Sequence, residues 1–128
     1  MKEAFAYFGA VKTNPVWGWA ARSPDGATVA ITMWEDQMEE VDGRIIYDVT
    51  HRGDLEVWRN RDGNKDRIRQ LQWAIEHCHG LVRSVIVRAE DPKAVLRKVV
   101  SCEAHPTLIM RISRLDEETG EFYAESIT

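Results

Sequence analysis

Hydrophobic and polar positions alternate most clearly from Asn14 to Trp34, NPVWGWAARSPDGATVAITMW. Alternation at period two on both sides of a turn predicts a β-hairpin. Ser23-Pro24-Asp25-Gly26 supplies the turn: proline presets φ at the second position and glycine tolerates the last. The flanking runs are rich in Trp, Val, Ile and Thr, which suit a pleated, half-buried surface. A four-residue loop pairs Arg22 with Ala27, Ala20 with Val29, Trp19 with Ala30 and Trp17 with Thr32. One face then carries Val16, Gly18, Ala20, Val29, Ile31 and Met33, and the other Trp17, Trp19, Thr28, Ala30, Thr32 and Trp34. The first is core. The second gathers three of the five tryptophans and either packs beneath a second layer or lines a pocket.

The same patterning places the other elements. Phe5 to Val11 is expected as a first strand, and Thr13-Asn14-Pro15 as a break. Arg44 to Thr50 is a strand with Ile45, Tyr47 and Val49 on one face. Residues 51–63 lack regular patterning and are expected as a loop with one short strand or turn. A helix is expected from an Asn64 N-cap to a Gly80 terminator, burying Ile68, Leu71, Ala74, Ile75 and Cys78. Its opposite side carries Arg69, Trp73 and His77. Leu81 to Ala89 is apolar on both faces and belongs in the centre of a sheet. Asp91-Pro92 opens a second helix with Val95, Leu96, Val99 and Val100 buried, or else its valine-rich tail is strand. His105-Pro106 ends it. Thr107 to Arg114 and Phe122 to Ile127 are strands, joined by a turn at Glu117–Gly120. The resulting fold class is α+β: a strongly bent or barrel-like mixed sheet of six or seven strands with two helices at its ends or on one face. A flatter two-layer sandwich is the alternative.

Composition narrows the function classes. The 128 residues are those of one domain, and 44% hydrophobic with 30% charged residues describes a soluble chain. No apolar run approaches the ~18–20 residues that cross a bilayer, so no membrane partner is expected. A signal peptide is not visible at the amino terminus, and the expected location is cytoplasmic. Two cysteines, Cys78 and Cys102, are too few for a disulfide framework. The net charge of −4 makes no global case for nucleic acid, yet charge is uneven.

Four constellations could carry chemistry. Trp17, Trp19 and Trp34 could stack on a base or another flat group, or simply form a second core layer. Arg52, Arg59, Arg61, Lys65, Arg67 and Arg69 form a basic strip, offset by Asp54, Glu56, Asp62 and Asp66. It could follow a phosphate backbone with Trp58 or Trp73 interleaved, or be a solvated face of ion pairs. His77, Cys78, His79, Cys102 and His105 fit no standard zinc spacing, so no metal and no cofactor is expected. Glu35, Asp36, Glu39, Glu40 and Asp42 put five carboxylates in eight residues, either acid–base groups or an ordinary acidic loop.

The run Asn14-Pro15-Val16-Trp17-Gly18-Trp19, the Pro-Asp-Gly turn and the strand ending Met33-Trp34-Glu35-Asp36 resemble a small bacterial domain sometimes joined to HNH-type restriction nucleases. Lys65–Arg69 and the strand Leu81–Ala89 extend the resemblance to residues 8–90. No HNH motif is present. The strand-rich order also resembles PUA-like domains, whose ASCH, EVE and SRA branches read modified bases or RNA. That resemblance implies a pocket of Trp17, Trp19, Trp34 and Asp36, with Arg67 or Arg69 at phosphate. The expected function is therefore a non-enzymatic domain that binds DNA or RNA. Asn14 or Asp36 would hydrogen-bond a base, and Arg59, Arg61, Arg67 and Arg69 would meet the backbone. The alternatives are a partner-binding or homodimeric accessory protein with Trp58 and Trp73 as interface anchors, and a small enzyme using the carboxylates at 35–40.

Overall fold

The computed structural model describes residues 2–10, 19–49, 62–93 and 98–127. The expectations for Asn14, Trp17, the loop at 51–61 with Trp58, Arg59 and Arg61, and Val95 and Leu96 lie outside them. In chain order the elements are α1 (Lys2–Ala6), β1 (Ala20–Arg22), β2 (Val29–Trp34), a 3-10 turn (Glu35–Gln37), β3 (Met38–Val41), β4 (Arg44–Asp48), α2 (Asp62–His77), β5 (Leu81–Ala89), β6 (Val99–Leu115) and β7 (Phe122–Ser126). The seven strands form one sheet in the order β1-β2-β5-β6-β7-β4-β3. β2 and β5 pair in parallel and the other pairs are antiparallel. Among the described residues the fold is α+β, a seven-stranded mixed sheet with two helices.

Each face of the sheet carries its own core. Ala20, Val29, Ile31 and Met33 meet Leu71, Ala74 and Cys78 of α2, with Val82, Met110, Tyr47 and Phe122 in the same cluster. On the other face Phe5 of α1 packs with Ala21, Ala30, Val85 and Val87. The expectation of a strongly bent or barrel-like sheet, with helices at its ends or on one face, is corrected here. A closed barrel has one interior, whereas this sheet buries apolar side chains on both sides and stays open, with β1 and β3 as edges. It bows where β2 runs into β3. Four ladder steps of ~4.8 Å would hold β2 and β4 about 19 Å apart in a flat sheet. Yet the Trp34 N–H donates to the Tyr47 hydroxyl at 3.1 Å, and three residues carry the chain from β2 into β3.

The central hairpin forms with a different register. Ala20 pairs with Ile31, Ala21 with Ala30 and Arg22 with Val29, two residues from the expected pairing. The loop is longer because side chains close it: Ser23 Oγ accepts the Thr28 N–H and Asp25 Oδ1 accepts that of Ala27. A shift of two preserves which residues share a face.

One element differs in kind and another resolves to its alternative in part. The expected strand at Phe5–Val11 is instead helix α1 and its exit turn through Gly9. Phe5 and Phe8, three apart, lie on one side of a helical turn, and both pack onto the sheet. Gly9, at φ 71°, ends the turn, and the Ala10 N–H returns to the Phe5 carbonyl. Of the expected helix after Asp91-Pro92, residues 94–97 lie outside the described residues, and its valine-rich tail is strand, the alternative given for it. Asp91 accepts the Lys93 N–H in a turn, and Val99 and Val100 begin β6, exposed rather than buried. Pro106 does not end that strand, because the ladder slips between Arg83/Ile109 and Val85/Ala104. The bulge removes the need for a proline N–H. The acidic stretch also contains an unforeseen strand, β3, turned onto β4 through Asp42 (φ 51°) and Gly43 (φ 80°). Two positive φ values fit the Asp-Gly hairpin turn.

Replacing Tyr47 by Phe should lower stability by about 1–3 kcal/mol, since it strands a part-buried backbone donor. Denaturant titration measures this, and an unmoved midpoint would show that the bond does not hold β2 to β4.

Candidate functional site

The 3.6-residue pattern along α2 predicts a buried stripe centred near Cys78 and Leu71. The observed buried arc comprises Asn64, Asp66, Arg67, Gln70, Leu71, Ala74 and Cys78. At 100° per residue its centre is turned roughly 50° away from the apolar stripe. Ile75, assigned to the core by periodicity, is exposed instead. Polar residues occupy the inward side of the first half of the helix. Asn64 is not an N-cap but lies inside the first turn, fully buried. Its Nδ2 donates to the Thr119 carbonyl at 2.8 Å, and its Oδ1 accepts from Arg67 at 3.1 Å. The other end follows expectation in part. Gly80, at φ 75°, donates its N–H to the Ala74 carbonyl, but His79 is also left-handed at φ 57°.

This rotation brings α2 alongside edge strand β1. Near the start of the strand the Arg67 guanidinium lies 5.0 Å from the Trp19 ring and 5.0 Å from that of Phe122. Further along, the Arg22 guanidinium lies 3.9 Å from the Trp73 ring. Trp73 also stacks on His77 with ring centres 4.0 Å apart and donates Nε1–H to the Gly26 carbonyl at 2.9 Å. Trp73 thus finds partners within its own chain. Gln70, buried, stands three residues from both Arg67 and Trp73 along α2. Trp19, Arg22, Asp66, Arg67, Gln70 and Trp73 therefore follow one seam.

The other predicted residues scatter. Trp34 packs at the margin of both cores. Trp19 sits in a bend before β1, where strand alternation no longer governs its direction, and its ring lies against α2. Among the described residues no ring contact joins it to Trp34. Asp36 is exposed on the 3-10 turn. The basic strip divides, because Arg67 is 6% exposed while Lys65 and Arg69 face solvent, Arg69 3.4 Å from Asp66. Glu35, Glu39 and Glu40 are exposed. Glu35 binds Arg88 at 2.7 Å, and Glu39 and Glu40 alternate along an edge strand. Cys78 and Cys102 belong to cores on opposite faces. Among the described residues no three His, Cys, Asp or Glu side chains are placed to hold a metal. Arg22, Asp66 and Gln70 are the seam residues that periodicity missed, and Asn64 is the buried residue that anchors their helix. Polar residues at 64, 67 and 70 recur at helical spacing, the one available signal.

No family model, curated protein or solved structure matches the chain.

Gly26 is held against Trp73 at φ 72°, where an added Cβ would lie 2.7 Å from Cζ2. Gly43 has a similar φ but open space. Gly43→Ala should cost about 1–2 kcal/mol of backbone strain, and Gly26→Ala more, with a change in indole emission. Equal costs in thermal unfolding would show that the indole is not seated on the turn.

Burial pushes the Cys78 thiol up from its ordinary value of 9.0, and its S–H faces the Gly26 carbonyl at 3.4 Å. The folded chain keeps this proton longer than the unfolded one. The resulting stability is complete below the ordinary thiol range and is lost as pH climbs through the folded value. A thiol reagent should therefore label Cys102 first and Cys78 only on unfolding. Mass spectrometry of the native protein would refute this by finding Cys78 modified first.

Proposed function

We propose that the protein is a non-enzymatic nucleic-acid-binding domain, PUA-like in class, that receives an unstacked base, plain or modified, at the seam between β1 and α2. The observation that supports this reading is the placement of Arg67, whose guanidinium lies 5.0 Å from the ring of Trp19 and 5.0 Å from that of Phe122. Orienting a buried cation against two aromatic rings fixes the half-buried indole of Trp19 as a stacking platform. Every base has a flat face, and stacking on such a ring contributes roughly 1–3 kcal/mol. Lys65 and Arg69 stand exposed on the same half of α2, where phosphates flanking the base would pass. The net charge of −4 makes attraction local to this strip. The scattered carboxylates at 35–40 do not favour an acid–base enzyme.

Tryptophan fluorescence titrated with single-stranded oligonucleotides should show binding that weakens with salt. Two phosphate contacts correspond to a log–log slope of about −1.4. Trp19→Ala should cost roughly 1–3 kcal/mol of binding. An affinity independent of salt, or the absence of binding, would overturn the proposal.

A further inference from the structure

We infer that the seam selects bases carrying an exocyclic amine, an inference that rests on the nucleic-acid reading above. Asp66 and Gln70 are 7% and 5% exposed. Asp66 Oδ1 faces Arg69, but among the described residues neither Asp66 Oδ2 nor Gln70 Oε1 has a hydrogen-bond donor. Buried acceptors without donors are rare in folded proteins, and each calls for an explanation. These two are four residues apart on α2, hence neighbours on one side of the helix. Gln70 stands three residues from both Arg67 and Trp73 along α2. Two buried acceptors on the helix whose Arg67 meets the Trp19 ring call for a flat ligand with N–H donors on its edge. Adenine, cytosine and guanine each present an NH2 group, whereas thymine presents a carbonyl in its place. The carboxylate and amide oxygens would accept from that amine while the ring stacks on Trp19. Until then they stand unmatched, at a cost to the free protein.

The test compares single-stranded homopolymers of dA, dC and dT, read by tryptophan fluorescence, with thermal unfolding of the free variants alongside. Wild type should bind dC and dA at least about tenfold more tightly than dT, the scale of one charge-assisted hydrogen bond. Asp66→Asn and Gln70→Leu should each reduce that preference. Gln70→Leu should leave the unfolding temperature unchanged or raise it, because an unmatched acceptor is removed. Equal binding of dT and dC by wild type would overturn the selectivity and leave the binding reading standing. The selectivity also fails if Gln70→Leu lowers the unfolding temperature and both variants keep the preference, since the side chains are then structural. No binding to any homopolymer would remove both readings.

Discussion

β5 has no face that can be turned to water. Val82, on one side, and Val85 and Val87, on the other, are buried to within 2%. A strand apolar on both sides requires a layer above and a layer below. The rest of the architecture meets that requirement. α2 covers Val82 together with the inward residues of β2, β6 and β7, and α1 covers Val85 and Val87. The parallel pairing of β2 with β5 follows, because α2 lies between them in sequence and crosses one face. With both sides occupied, the sheet cannot roll about a single interior, and its edges remain apart even where Tyr47 reaches Trp34.

Much of this was legible in the pattern of residues. The hairpin, the central strand, the helix ending near Gly80 and the two final strands all follow from period, turn chemistry and β-branching. The errors have physical causes. Side-chain bonds from Ser23 and Asp25 lengthened a loop that Pro-Asp-Gly suggested was short. Alternation assigned Trp19 to a face, but a bend releases it from the strand. Phe5 and Phe8 suit a helical turn as well as a strand, and only the need to cover Val85 and Val87 decides between them. Periodicity located α2 but not its rotation, because polar side chains cannot be scored as buried until their partners are known.

That rotation has a structural anchor. Asn64 is fully buried and ties the first turn of α2 to the β6–β7 turn through Thr119. Gly120 there has φ 85° and leaves no room beside Asn64 for a side chain. Held at this point, the helix must present Arg67 and Gln70 to the seam and leave Ile75 outside. Apolar burial alone would have turned it the other way. The polar contact therefore decides the orientation that the hydrophobic pattern leaves to be settled.

The bulge in β6 carries three residues more than its partner strand between the pairs Arg83–Ile109 and Val85–Ala104. Because three is odd, the strand reverses its phase there. Cys102, before the bulge, belongs with the α1 core, while Leu108, at its end, and Met110 and Ile112, after it, belong with the α2 core, although all four have even numbers. Shortening this segment by two residues would keep every later side chain on its own face. Losing a single residue would exchange Met110 for Arg111 in the interior. Chain length here is constrained by parity rather than by size, and lineages of this fold should gain or lose residues at the bulge in pairs.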